Sequence, residues 1–252
     1  MDTERRTPLS KKDKNTDGKI AKKVKKLIKS QDHVLRSLLL GAGESGKSTV
    51  MKQMQLIHGE GFKEDDREDV KPDIVRNILE GATSVVNATK APFGFPLEDE
   101  DSIKAGDLVI AKYKANDLDE FLEENIVQAL FKLKEDPNFQ KTIDNRAKFQ
   151  LLESWDVFMQ KLESYPDWGG EDWTPSEEDV LLARVRTTGI NEVGFQIENA
   201  NLRIIDVGGQ RAERKKWMKL FQGVSSVIFV AAISEYNQVL YEDAKVNRLE
   251  DA

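Results

Sequence analysis

The spacing of apolar positions changes character twice along the chain. The run "VLRSLLL", Val34 to Leu40, is continuous enough to predict a buried strand. After a glycine-rich loop, "TVMKQMQLI" sets Val50, Met51, Met54 and Ile57 at helical spacing. From about Phe62 to Leu182 β-rich runs disappear. Leu118, Phe121, Leu122, Ile126, Leu130 and Leu133 predict one amphipathic helix, and Phe149, Leu152, Trp155, Met159 and Leu162 predict another. "APFGFPLEDED" and "YPDWGGEDWTP" are turn-rich connectors. Trp155 is expected in the helical core, and Trp168 and Trp173 are expected to pin their loop. Beyond Leu182 strands return. "VGFQI", "ENAN" and "LRIID" predict strand, turn and strand, hence a hairpin, and "VSSVIFVAAI" predicts a central strand covered on both faces. The expected fold class is therefore α/β, interrupted by an all-helical insertion. The expected division is a basic arm over 1–33, an α/β domain over 34–61 and 183–252, and a helical domain over 62–182.

Charge alters this picture at one end. The 252-residue chain has a net charge of −7, with 33% charged and 39% apolar residues. Residues 1–36 alone carry +7, which leaves −14 for the rest. So acidic a body is a poor general binder of nucleic acid. In the basic arm, Ile20, Val24, Leu27 and Ile28 form one apolar stripe among lysines. That stripe suits an anionic membrane or a partner, and equally a solvated terminal helix. "DKNTDGKI" opens like a calcium loop at Asp13, Asn15, Asp17 and Gly18, but Val24 stands where a closing Glu is needed. A polar turn is the expectation there. His33 and His58 have no metal-binding partners at useful spacing, and Asn87-Ala88-Thr89 is a chance sequon. No run approaches the ~20 apolar residues of a membrane span. The absence of cysteine excludes disulfides, thiolate metal sites and palmitoylation.

The loop after the first strand is "GAGESGKST". It fits G-x-x-x-x-G-K-S with Gly41, Gly46, Lys47 and Ser48 in the fixed positions. Such a loop turns several N–H groups into one concavity, and the following helix adds its positive end, so a polyphosphate is favoured. Lys47 would reach the β- and γ-phosphates, and Ser48 would ligate Mg²⁺. "LRIIDVGGQ" ends a strand with Asp206, a carboxylate able to reach Mg²⁺ through water. Gly208 and Gly209 let backbone approach a terminal phosphate, and the Gln210 amide suits an attacking water. "ARVRTTG" supplies Arg184 for phosphoryl charge and Thr187 for Mg²⁺. Each has a plain structural use as well, Asp206 as a helix cap and Arg184 in an ion pair. Their joint occurrence, in this order, is hard to explain that way.

With "GAGESGKST", "RVRTTGI" and "DVGGQRAERKKW" in place, and a helical insertion between the first two, the chain resembles heterotrimeric G-protein α subunits from roughly Leu38 onward. The resemblance implies a P-loop GTPase domain carrying an inserted helical domain, with GTP or GDP as ligand and Mg²⁺ as cofactor. It implies that Glu44, Ser45, Gly46, Lys47, Ser48 and Thr49 form the phosphate loop. Leu181, Leu182, Ala183 and Arg184 would run beside the nucleotide, as would Asp206, Val207, Gly208, Gly209 and Gln210. Ser154, after Glu153, matches a contact from the helical domain. Arg184 falls on the built-in arginine finger and Gln210 on the water-orienting residue, while Ser48 and Thr187 fall on the two metal ligands. Lys215, Lys216 and Trp217 lie on the switch helix that such proteins offer to a βγ dimer. Receptors and GTPase-activating regulators are the other implied partners, at a cytoplasmic location or on the inner face of the plasma membrane.

The sequence also departs from the family. It opens Met-Asp rather than Met-Gly, so N-myristoylation is not readable from it. After "YEDAKVNRLEDA" the family would continue with two strands, several helices, an N-K-x-D motif and a T-C-A loop. The expectation is a truncated switch GTPase, with a long apolar sheet edge and little power to read a guanine base. The alternative is a non-catalytic protein that sequesters βγ or regulators. A P-loop kinase or ATPase lacks supporting features.

Overall fold

The computed structural model describes residues 34–115, 121–165, 167–198, 200–240, 243 and 245–252. The basic arm, its apolar stripe, the calcium-like turn and Leu118 lie outside the described residues. Strand β1 (Leu35–Leu40) leads through the glycine-rich loop into helix α1 (Lys47–His58). Among the described residues seven α-helices follow without a strand: α2 (Glu64–Glu68), α3 (Lys71–Thr89), α4 (Glu100–Ala115), α5 (Glu124–Glu135), α6 (Pro137–Ile143), α7 (Trp155–Ser164), which a 3₁₀ turn at Arg146–Lys148 precedes, and α8 (Glu177–Leu182). Then come β2 (Ile190–Ile197), β3 (Ala200–Val207), a 3₁₀ turn at Arg214–Lys216 and α9 (Trp217–Leu220). Strand β4 (Ser226–Phe229), a 3₁₀ turn at Ile233–Asn237 and α10 (Arg248–Asp251) complete the order. The α/β class predicted from the sequence is the one observed.

The sheet order is β2-β3-β1-β4, with β1 parallel to both β3 and β4 and the β2–β3 hairpin antiparallel. Alternation along β1 sends Leu38 and Leu40 to one face, against Ile205, Val207 and Trp217. Leu39 goes to the other face, against Met51 of α1, Phe195 and Ile204. The register sets Leu39 beside Asp206 and Leu40 beside Phe229. The glycine-rich loop and Asp206 therefore leave the sheet at the same end, the carboxyl end of parallel strands where α/β folds place their ligands.

The helical segment builds its own core. Ile74, Ile78, Leu79 and Val85 of α3 pack with Ile126, Leu130 and Leu133 of α5, Phe139 of α6, and Trp155 and Phe158 of α7. Gly81 makes one contact possible, because a Cβ there would stand 2.1 Å from the Trp155 ring. A mid-helix glycine ordinarily costs about 1 kcal/mol relative to alanine. Here it admits an indole whose Nε1 donates to the Ile78 carbonyl at 2.9 Å. Trp168 and Trp173 are buried with ring centroids 4.7 Å apart, which ties down the loop they sit on.

Four local expectations are corrected. The helix expected to include Phe121 and Leu122 begins at Glu124, and the one expected from Phe149 begins at Trp155. In both cases non-helical chain approaches over the same core and buries residues at spacing that mimics a helix. Val50 and Ile57 of α1 are exposed, so the buried stripe narrows to Met51 with Met54 beside it. The run "VSSVIFVAAI" forms only a four-residue edge strand, β4, with every residue exposed. Its composition fits a covered strand, but among the described residues it pairs only with β1 and nothing packs over it.

Candidate functional site

A cavity of about 350 Å³ opens where the glycine-rich-loop end of the sheet meets α3, the segment leading into α7, and α8. Its walls hold Glu44, Ser45, Gly46, Lys47, Ser48 and Thr49, together with Ser154, Leu181, Leu182, Ala183, Arg184, Thr187, Gly209 and Gln210. Of the residues expected from the sequence, Asp206, Val207 and Gly208 stand behind this wall. Asp206 nevertheless reaches the site through its carboxylate.

The loop is shaped by its backbone. Gly46 enters α1 with φ 93°, and Glu44 is a non-glycine residue in the left-handed region at φ 67°. Lys47 is buried and folds back over the loop. Its ammonium donates to the carbonyls of Gly41 at 3.0 Å and Ala42 at 2.6 Å. Burial lowers its pKa, while the charges of Asp206 and Glu235 oppose that shift. Gly209 approaches this cradle so closely that a Cβ would lie 2.3 Å from the Gly41 carbonyl oxygen and 2.5 Å from the Lys47 ammonium. Only a residue without a side chain fits there. The Gly209 carbonyl accepts from Arg214 at 2.9 Å, and Arg214 is also paired with Asp251. Trp217 donates to the Gly208 carbonyl at 3.0 Å, which holds the start of α9 against the same segment.

Three oxygen-bearing side chains from three segments converge beside the cradle. Ser48 donates to Asp206 Oδ2 at 2.6 Å and lies 2.7 Å from the Thr187 hydroxyl. Thr187 lies 3.5 Å from the same carboxylate oxygen. The other carboxylate oxygen of Asp206, Oδ1, is buried without a hydrogen-bond partner, and so is Oε1 of Gln210. A buried acceptor left without a donor is costly, and such orphans mark places where a further group completes the site. Two hydroxyls and a carboxylate are hard oxygen donors of the kind Mg²⁺ takes. No group of three or more His, Cys, Asp or Glu placed to hold a metal ion occurs among the described residues.

The guanidinium of Arg184 rests on the Glu44 carboxylate, with Glu80 of α3 at 3.9 Å. Glu44 also pairs with Arg248 at 2.9 Å, and Arg248 reaches buried Glu235 at 2.5 Å. Burial pushes the Glu235 carboxyl above its ordinary value, against the pull of Arg248. Arg248, Glu235, Lys52 and Glu80 all line the cavity, and the sequence reading missed all four. Arg248 comes from α10, far along the chain from the loop it faces, and no spacing rule could have joined the two. The exposed Lys215 and Lys216 and half-buried Trp217 lie outside the cavity, around the start of α9.

The family model for the G-protein alpha subunit matches residues 10–252. The chain is 36% identical over 241 residues to the guanine nucleotide-binding protein alpha-7 subunit of Caenorhabditis briggsae, covering 95% of this chain and 66% of that one. It is 40% identical over 223 residues to the alpha-3 subunit of Caenorhabditis elegans, covering 87% and 61% respectively. With the G(o) subunit alpha of Lymnaea stagnalis the identity is 38% over 221 residues, covering 86% and 60%. The chain thus spans between 60% and 66% of the length of these relatives. The glycine-rich loop, the hydroxyl–carboxylate cluster and the Arg184 segment accord with this match over nearly the whole chain, and the chain belongs to the G-protein α-subunit family.

Proposed function

We propose that this protein binds GTP with Mg²⁺ and hydrolyses it, acting as a timed switch in signal transduction. The observation that carries the reading is the meeting of Ser48, Thr187 and Asp206 beside the Lys47 cradle, with Asp206 Oδ1 buried and unpartnered. Ser48 and Thr187 would hold the metal directly and Asp206 through water. Bound there, Mg²⁺ would offset charge on the β- and γ-phosphate oxygens. The chain's own residues do the rest. Lys47 exchanges its loop carbonyls for phosphate oxygens. Arg184 leaves Glu44 to meet the charge that develops on the transferring group, and Gln210 turns its unpartnered Oε1 to an attacking water. The Gly209 N–H closes on the terminal phosphate. Loss of that phosphate frees Thr187 and Gly209 together, so both segments relax.

The partners follow the same reading. Lys215, Lys216 and Trp217 would face a βγ dimer, next to the exposed side chains of Met218 and Phe221. Receptors and GTPase-activating regulators complete the proposed set, at a cytoplasmic or inner-membrane surface. Among the described residues no helix is long and apolar enough to cross a membrane. The test is Mg²⁺-dependent GTP binding followed by single-turnover hydrolysis. Ser48→Ala is expected to lose most of the Mg²⁺ dependence of binding. Unchanged Mg²⁺ dependence in that variant would remove the metal assignment, and binding without turnover in the unsubstituted chain would favour a non-catalytic binding protein.

A further inference from the structure

Arg184 and Thr187 sit on an extended segment just beyond α8, and a six-residue helix is a weak foundation for a side chain that must meet a phosphate accurately. The segment is held from two other directions. The side-chain amide of Asn77, on α3, accepts from the Arg184 N–H at 2.6 Å and donates to the Arg184 carbonyl at 3.0 Å. Both backbone groups of one residue are thus met by one side chain. Only an amide carries the necessary donor and acceptor side by side, since a carboxylate lacks the donor and an aliphatic residue lacks both. Asn77 is 2% exposed, so water does not compete for either bond.

The second hold comes from α1. Lys52 stands one helical turn after Ser48, and its ammonium donates to the carbonyls of Val180 at 2.7 Å and Ala183 at 2.8 Å. These carbonyls lie at the C-terminal end of α8, where backbone acceptors lack intrahelical partners and a positive charge is favourable. The opposite end of α8 is fixed by a reciprocal cap between Ser176 and Asp179, with Asp179 bound at 2.7 Å by Lys161 of α7. Ala183 and Arg184 are therefore tied to the helix that carries Ser48 and to the longest helix of the helical core.

The geometry points to Asn77 and Lys52 as positioning residues for Arg184, an inference that rests on the reading of Arg184 as the group that meets the transferring phosphate. Neither side chain is asked to touch nucleotide. Asn77 fixes the backbone from which the guanidinium extends, and Lys52 fixes the residue before it relative to Ser48. Loss of either leaves the phosphate loop intact and lets the guanidinium wander.

A double-mutant cycle on the full chain tests this, with single-turnover GTP hydrolysis, nucleotide affinity and amide exchange at Arg184 as readouts. Asn77→Ala is expected to slow hydrolysis by on the order of 10²-fold, the scale of a misplacement near 1 Å, while affinity changes little. Exchange of the Arg184 amide should quicken by about tenfold as its acceptor is lost. In an Arg184→Ala background, Asn77→Ala should slow hydrolysis no further. Should Asn77→Ala fail to fold, Lys52→Met and Lys52→Arg replace it, the first slowing hydrolysis and the second restoring most of the rate. Equal slowing by Asn77→Ala with and without Arg184 would overturn the proposal, as would an unchanged rate in Asn77→Ala or Lys52→Met. If Arg184→Ala itself leaves hydrolysis unchanged, the functional reading fails and takes the proposal with it. If Arg184→Ala slows hydrolysis and the other two do not, only the proposal falls.

Discussion

The helical segment and the sheet solve the burial problem differently. From α3 to α7 the apolar side chains meet in one continuous core, filled by Trp155, Phe158 and Phe139 and closed by the Trp168–Trp173 pair. Among the described residues the sheet has two thin clusters instead, one on each face of β1, and its outer strand β4 is bare. Yet the groups given chemistry in the proposed function belong mainly to the sheet, its loops and the start of α1: Lys47, Ser48, Thr187, Asp206 and Gln210. The helical segment supplies a wall and, through Asn77 and Glu80, contacts to Arg184. A self-sufficient core can serve as a fixed reference, while the thinner half carries the loops that must respond to a ligand. Stability and chemistry are thereby separated, and the separation can be attacked from either side.

The largest expected effect falls on chemistry alone. Arg184→Ala should slow single-turnover GTP hydrolysis by on the order of 10³-fold or more, a range for which G-protein α subunits are themselves a standard case. Nucleotide affinity and the unfolding midpoint should stay nearly constant, since the guanidinium is partly exposed and paired to Glu44. A fall of only a few fold would mean that another group, with Arg248 the nearest candidate on Glu44, carries the charge.

The second effect falls on stability alone. Trp155 is 2% exposed and fills the space left by Gly81, so Trp155→Ala should cost about 3–5 kcal/mol by denaturant unfolding. The folded fraction should keep its hydrolysis rate within a few fold. A large loss of rate at full folding would show that the helical core and the site are not separable.

What the sequence made legible follows the same division. The phosphate loop was readable because its chemistry is local: Gly46, Lys47 and Ser48 work at fixed spacing on one turn, and β1 and α1 flank them in the structure. Arg184, Thr187 and Asp206 were readable as pieces, and the structure brings them to one place. Arg248, Glu235, Lys52 and Asn77 were invisible because their contacts exist only across the fold. Asn77 lies 107 residues from the backbone it holds. In the helical segment, apolar spacing ran on from Phe149 through Leu152 to Trp155, although α7 starts only at the last of these. Burial sets that spacing, and extended chain lying over a core is buried too. The same limit applies to β4, where the apolar run by itself suggested a covered strand and only the family resemblance suggested the apolar sheet edge that the structure has.

Lys52 joins the two halves, and its titration gives a smaller and more gradual effect. Burial lowers its pKa from the ordinary 10.5 to about 8, with Asp73 opposing the shift. Below about 8 both folded and unfolded chains carry the proton, and the cost of burying the charge is present in full. Between about 8 and 10.5 the unfolded chain holds the proton and the folded chain does not, so this residue makes stability rise with pH. Above 10.5 its burial cost is gone. Unfolding midpoints measured across that window should rise more steeply in the unsubstituted protein than in Lys52→Met. Parallel curves would show that the ammonium is solvated, with α1 and the end of α8 further apart than the hydrogen bonds to Val180 and Ala183 require.

The smallest expected effect lies on β4. Val227, Ile228 and Phe229 are 47%, 42% and 53% exposed, whereas Leu39 in the adjoining strand is fully buried. The two strands share a ladder in which Leu39 stands beside Ile228 and Leu40 beside Phe229. Backbone pairing is thus common to both, and only side-chain burial differs. Phe229→Ala should change the unfolding free energy by no more than about 0.5 kcal/mol, as for an ordinary surface position. Leu39→Ala, which opens a cavity between the sheet and α1, should cost about 2–5 kcal/mol. The pair isolates how much of the sheet's stability comes from covered faces rather than from strand pairing. A cost above about 2 kcal/mol at Phe229 would be too large for an exposed ring. It would show that the bare face of β4 is covered in solution, and a dependence of that cost on protein concentration would identify a second copy as the cover.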